Sequence, residues 1–240
     1  MLKNVKKFKT SRFTRRFLFP GLAQIFQTFH AKSISRYFGG DPNRVTVTGQ
    51  SAGAMMASFL MVSPLSRDKL HGVIGVSGGA LSVWALAKHP SFFHHLQTAH
   101  WADCYDEWAT DPDSVPDVAR RQEIVVCMKT VDTQELVNAM SKYQAEETSI
   151  GRLGYDARVI SIQDDSITIP RMLEEHPLNI LRRGEQANVP LIMGATRHDG
   201  SFPAEDIYQD FIAPNGLESN TSFVRNDLIP FLLETALGRY

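Results

Sequence analysis

Val45-Thr46-Val47-Thr48-Gly49-Gln50-Ser51-Ala52-Gly53 is the stretch on which the reading of this chain turns. Val45 to Thr48 is a β-branched run, the composition that favours strands. It stops at Gly49, and a small, apolar, helix-compatible segment runs from Ala52 to about Met61 before Pro64 interrupts it. Strand, Gly-x-Ser-x-Gly and helix form the context in which a serine is displayed as a nucleophile. A serine hydroxyl is weakly nucleophilic and must project from a sharp turn where a base can reach it. That turn strains Ser51, and Gly49 and Gly53 are expected to leave room where the strand and helix backbones crowd together. The helix start aims free N–H groups and a positive dipole end at the same spot. The Ala52 N–H is then a donor to an oxyanion. The five-residue pattern alone also occurs in loops by chance; the strand before it and the helix after it separate the two readings.

The 240 residues suffice for one substantial core, and 43% apolar with 21% charged residues is ordinary for a globular chain. The formal net charge of -1 offers no basis for a nucleic-acid partner. The average conceals an asymmetry, because no Asp or Glu precedes Asp41 while Lys3, Lys6, Lys7, Lys9, Arg12, Arg15, Arg16, Lys32 and Arg36 do. Residues 1–30 are read as a basic arm and residues 31–240 as the domain. The apolar run Phe17 to Phe26 is short, contains Pro20 and Gln24, and lacks a clear small-residue cleavage site, so no convincing signal peptide is present. The run is also too short to span a bilayer. Cys104 and Cys127 read as two buried thiols in a reducing compartment or one bridge in an oxidising one, and the count leaves both open.

Two more strand candidates follow, Gly72 to Ser77 ending at Gly78-Gly79, and Val189 to Met193 ending at Gly194. These apolar runs do not alternate, as expected of strands buried on both faces of a parallel sheet. Leu81 to Lys88 and Thr133 to Glu146 have helical spacing, and Trp101 to Pro116 is rich in Asp and Pro and reads as a loop. Phe202 to Tyr240 reads as helical with breaks at Pro214, Gly216 and Pro230. Strands separated by helices point to an α/β fold, a mostly parallel sheet flanked by helices.

The longer segment Phe38-Gly39-Gly40-Asp41-Pro42-Asn43-Arg44-Val45-Thr46-Val47-Thr48-Gly49-Gln50-Ser51-Ala52-Gly53-Ala54 resembles the serine turn of type-B carboxylesterases and cholinesterases. The family pattern there is FGGDPxxVTxxGxSAGA, usually with Glu where this chain has Gln50. Ser63-Pro64-Leu65 and Gly75-Val76-Ser77-Gly78-Gly79-Ala80 resemble its next landmarks. The resemblance covers about Ala31 to Phe202. It implies a partial α/β-hydrolase fold and, for the parent, hydrolysis of carboxylic esters through an acyl-serine on Ser51, with no cofactor and no metal. A small-molecule carboxylic ester is the implied partner.

The resemblance also places the triad acid. Val189-Pro190-Leu191-Ile192-Met193-Gly194-Ala195-Thr196-Arg197-His198-Asp199-Gly200-Ser201-Phe202 is similar to the family's PLIxGxxxxEGxxF, with Asp199 in place of Glu. A carboxylate there holds an imidazole in one tautomer and stabilises the imidazolium. Chain order in this fold is Ser, then acid, then His. All eight histidines, His30, His71, His89, His94, His95, His100, His176 and His198, precede Asp199. His198 adjoins the acid, the wrong place for a side chain that must bridge acid and serine. The Gly-rich loop that supplies further oxyanion donors has no counterpart among Met1 to Phe38. The chain is therefore expected to be a fragment truncated at both ends, without its catalytic His and nearly inactive by itself.

From the same resemblance, a Cys104–Cys127 disulfide is implied, which places the parent in a secreted or cell-surface setting. The sequon Asn220-Thr221-Ser222 would then be a glycosylated, exposed loop. His89, His94, His95 and His100 match no zinc-binding spacing and read as the solvated edge of a helix or loop. The alternative to an enzyme is a non-catalytic, esterase-like adhesion protein of the glutactin, neurotactin or neuroligin type, with a protein partner. Gln50 and Asp199 lean towards that alternative, and Ser51 within an intact turn leans towards the enzyme.

Overall fold

The structure, a computed structural model, describes residues 30, 32–87, 91–108, 115–153, 160–163 and 169–237. The basic arm lies almost wholly outside the described residues. A parallel sheet of order β1-β2-β3 forms from Thr46–Gln50, Gly72–Val76 and Leu191–Gly194. Val47 pairs with Val73 and Gln50 with Val76, while Val73 pairs with Leu191 and Val76 with Gly194. All three strands therefore end level with one another, and their carboxyl ends open on one edge. That edge is where an open parallel sheet places its ligands.

Helix α1 (Ala52–Val62) follows β1 without a spacer and packs on β1 and β2. Its sequence is apolar on every side, and Ala54 through Val62 are buried, as such a helix must be. Ser58 is tolerated inside because its hydroxyl donates back to the Ala54 and Met55 carbonyls. Phe59, Leu60, Val62 and Val73 form the main core with Leu173 and Ile180. Burying a side chain of this size stabilises the fold by about 1.5–3 kcal/mol. A second cluster, Leu96, Ala99, Tyr105 and Ile124, joins α2 (Ser91–Trp101) to α3 (Val118–Met128). The Cys104–Cys127 disulfide closes this cluster, with Cα atoms 5.6 Å apart. Helix α4 (Thr133–Ser149) packs along α2, and His94 and Tyr143 share a buried hydrogen bond of 2.9 Å between them.

Several local expectations change. The strands are not uniformly buried: β1 alternates, β3 is exposed on both faces, and only β2 is mostly covered. Residues 81–87 form turns rather than a helix, and Leu86 bridges Ile160 in parallel. His94 is a core residue, not part of a solvated edge. The tail carries α6 (Ser201–Ile207), α7 (Thr221–Phe223) and α8 (Ile229–Leu237), with π-helical turns at Tyr208–Ile212 and Val224–Leu228. Pro214 and Gly216 lie in a true break, whereas Pro230 sits inside a continuous helical run, just after the π-helical turn Val224–Leu228.

Helix α5 (Pro177–Arg182) carries an unusual cap. The His176 Nδ1 accepts from the Leu178 N–H at 3.2 Å, so the imidazole must be unprotonated there. Burial, and then the charge of Arg182, lower its pKa below the ordinary value of 6.5. The unfolded chain therefore binds a proton that the folded chain resists, and stability falls as pH drops below about 6.5. His176→Asn keeps a cap acceptor without titrating. The denaturation midpoint of the natural chain should fall relative to His176→Asn on acidification through that value; an unchanged gap on both sides of it contradicts the assignment.

Candidate active site

Ser51 stands between β1 and α1 with φ 55 and ψ -122, a conformation that L residues other than glycine rarely adopt. Its cause is the close approach of the two elements. A Cβ added at Gly49 would lie 2.2 Å from the Gly53 carbonyl carbon and oxygen and 2.7 Å from the Ala54 nitrogen. The strand thus runs into its helix with no space for a side chain, and the turn is forced through positive φ at Ser51. The Ser51 N–H donates to the Val76 carbonyl at 2.9 Å, extending the β1–β2 ladder one step past the strand. Its own carbonyl accepts from the Met55 N–H at 3.0 Å, the first bond of α1.

The two glycines are not equivalent. Gly49 is sterically required, but a Cβ at Gly53 would meet nothing within 4 Å. The expectation that both leave room is corrected: Gly53 contributes the backbone that Gly49 approaches. Gly78 is the second tight point, because its Cβ would sit 2.5 Å from the Ser51 carbonyl oxygen. Ser51, Ala52 and Gly53 are exposed, so the turn faces solvent. Ala52 is the first residue of α1, and its N–H is among those a helix start leaves without an intrahelical acceptor.

Ser77 closes the second strand candidate in the sequence, and the structure places it one residue past β2 and gives it more. It has φ 53, and its N–H donates to the Gly194 carbonyl at 2.7 Å, extending the β2–β3 ladder past the strand. Its hydroxyl donates to the Asp199 carboxylate. The Thr196 hydroxyl also donates to Asp199, at 3.0 Å to Oδ1. The Ser77 hydrogen bond first, and the Thr196 hydroxyl next, hold the Asp199 pKa below the ordinary aspartate value. Asp199 is therefore an anion docked on the end of β2, in the exposed turn that follows β3. The sequence marks Ser77 only by its place between an apolar run and Gly78-Gly79, and its positive φ is not visible there.

Ser51, Ser77 and Asp199 thus line one edge of the sheet on three successive strands. The Ser51 and Asp199 strands are two strand spacings apart, roughly 10 Å. At that separation a third group must bridge the two side chains before they can act together. His198 is exposed beside Asp199, and its carbonyl accepts from the Ser201 N–H. His100, on α2, binds the Tyr105 carbonyl at 3.1 Å. A cleft of about 600 Å³ lies elsewhere, beside the disulfide, and is lined by His100, Trp101, Tyr105, Arg120 and Lys142. Among the described residues no group of three His, Cys, Asp or Glu side chains is placed to hold a metal ion.

A serine at positive φ between a parallel strand and a buried helix, with a carboxylate after the second strand along, fits the strand–turn–helix arrangement of an α/β-hydrolase fold. The Carboxylesterase family model matches residues 31–234, and the chain belongs to that family. It is similar to juvenile hormone esterase of Tribolium castaneum, 27% identical over 186 residues, which is 76% of this chain and 29% of that protein. It is 31% identical to bile salt-activated lipase of Homo sapiens over 163 residues, covering 68% of this chain and 19% of that protein. It is 25% identical to cholinesterase 1 of Branchiostoma lanceolatum over 165 residues, covering 69% of this chain and 42% of that protein. The chain spans less than half the length of these relatives. No described helix is long and apolar enough to cross a membrane.

The asymmetry between the glycines gives a direct test. Gly49→Ala should destabilise by about 1–3 kcal/mol or more, because its contact is with backbone that cannot rotate away. Gly53→Ala, inside a helix and facing open space, should be neutral or stabilising by up to about 1 kcal/mol. Urea denaturation of the two variants checks this, and equal losses at both positions would contradict the assignment of the steric contact to Gly49.

Proposed function

We propose that this chain carries the nucleophile and acid of a carboxylic ester hydrolase, and that the 240-residue polypeptide by itself is nearly inactive. The observation that carries the reading is the Ser51 turn, strained and solvent-facing, with the anionic Asp199 fixed two strands away. In the complete reaction Ser51 Oγ attacks the ester carbonyl and loses its proton to a base. The resulting oxyanion accepts from the Ala52 N–H, and collapse expels the alcohol and leaves an acyl-serine. Water then releases the acid by the reverse sequence. Every step moves protons and acyl groups between side chains and water, so the scheme calls for no cofactor. The substrate is a small-molecule carboxylic ester.

The base is the missing part. Asp199 orients an imidazole in this scheme, yet its hydrogen bonds come from Ser77 and Thr196, and no histidine follows it in these 240 residues. Loss of a triad member lowers turnover by up to about a millionfold. A second reading, a non-catalytic esterase-like binding protein, draws support from that same occupied carboxylate and from Asp in the place of Glu. The Cys104–Cys127 disulfide supports an oxidising setting, secreted or at the cell surface, under either reading.

Labelling of the purified 240-residue chain with a fluorophosphonate tests the inactivity. The chain should label no more than Ser51→Ala at neutral pH. Robust labelling that disappears in Ser51→Ala would show that a base is already at hand and overturn the proposal.

A further inference from the structure

We propose that Asn220 is an N-glycosylation site whose amide both caps a helix and carries the glycan. Asn220-Thr221-Ser222 is a sequon, and all three residues are exposed. The structure places it at the start of α7 rather than in an open loop, so the expectation of a loop is corrected. Asn220 is the N-cap residue, with φ -87 and ψ 65, and its Oδ1 accepts from the Phe223 N–H at 3.1 Å. That bond fixes which arm of the amide is oxygen, since only oxygen accepts. The other arm, Nδ2, is the atom that a glycan substitutes. One N–H remains after substitution, and the carbonyl stays available to the helix. The cap and the modification therefore use different atoms and do not compete.

The disulfide supplies an independent reason to place the chain in the compartment where sequons are read. Cys104 and Cys127 come from the loop after α2 and from α3, and persistence of such a bond requires an oxidising environment. The transfer itself balances simply. Nδ2 forms a bond to the sugar anomeric carbon of a lipid-linked oligosaccharide diphosphate, the bond from that carbon to the diphosphate oxygen breaks, and the nitrogen loses one proton. The lipid diphosphate leaves as the anion.

The folded geometry also sets the order of events. The Ser222 hydroxyl accepts from Asn226 Nδ2 at 3.2 Å, and Asn220 is bound into the first turn. Both polar groups of the sequon are thus engaged once α7 has formed. Transfer belongs before that, while the segment is still extended, and the cap closes around an amide already modified.

The test translates the full 240-residue chain behind a cleavable secretory signal in the presence of microsomes, with protease protection confirming luminal entry. A single mobility shift, removed by an endoglycosidase, should be lost in Asn220→Asp and in Ser222→Ala and kept in Ser222→Thr. Asn220→Asp retains a capping oxygen, and the gel is run on denatured chains, so folding does not enter the result. A luminal chain with no shift, or a shift that persists in Asn220→Asp, overturns the proposal. Uptake of glycan by chain that is already folded and disulfide-bonded would overturn the order of events.

Discussion

The contact between the Gly49 α-carbon and the Gly53 backbone is the constraint on which the rest depends. With β1 and α1 abutting at a separation that excludes even a methyl group, the chain reverses direction within a single residue. Ser51 takes the resulting strain, of order 1–3 kcal/mol for a residue held outside its ordinary backbone regions. The strain persists because both neighbours of the turn are anchored. On one side the Ser51 N–H completes the β1–β2 ladder, and on the other its carbonyl starts a helix buried over nine consecutive residues. Gly78 lies directly under that carbonyl, so β2 supports the turn from below. The exposed hydroxyl is the product of these contacts and not of any preference of serine.

The Asp199 side of the sheet edge is built by the same device with weaker means. Ser77 also leaves its strand at positive φ and also carries the ladder one bond further, this time to β3. Its hydroxyl then meets Asp199, with Thr196 donating from the same turn. A carboxylate on the shorter aspartate stem, fully in solvent, would otherwise sample many orientations. Two hydroxyl donors restrict it and keep it ionised. The long-range surface pairs elsewhere, such as Arg120 with Asp106, are exposed and add little to stability.

The fold was legible where the chemistry forces local sequence. β-Branched residues before Gly49, an all-apolar helix after Ser51 and the Val189-to-Gly194 run each specify their element without help from distant residues. The Cys104–Cys127 pair followed from a family resemblance, not from spacing. What escaped was conditional on tertiary structure. The apparent helix at 81–87 is overridden by a bridge from Leu86 to Ile160, a contact between residues far apart in sequence. His94 looked like one of a solvated group, yet Tyr143 from another helix makes it a core residue. Ser77 and the inequality of Gly49 and Gly53 depend on backbone angles and separations of a few tenths of an ångström, which no pattern of residue types encodes.

The central claim is that the serine turn is a rigid product of strand–helix contact. Native-state hydrogen exchange at the Ser51 amide measures this most directly, because that N–H is bonded to Val76 only when the turn is closed. The account predicts protection at the level of the Val73 amide, which bonds to the Pro190 carbonyl between β2 and β3. Exchange at Ser51 as fast as at an exposed loop amide, while Val73 stays protected, would contradict it.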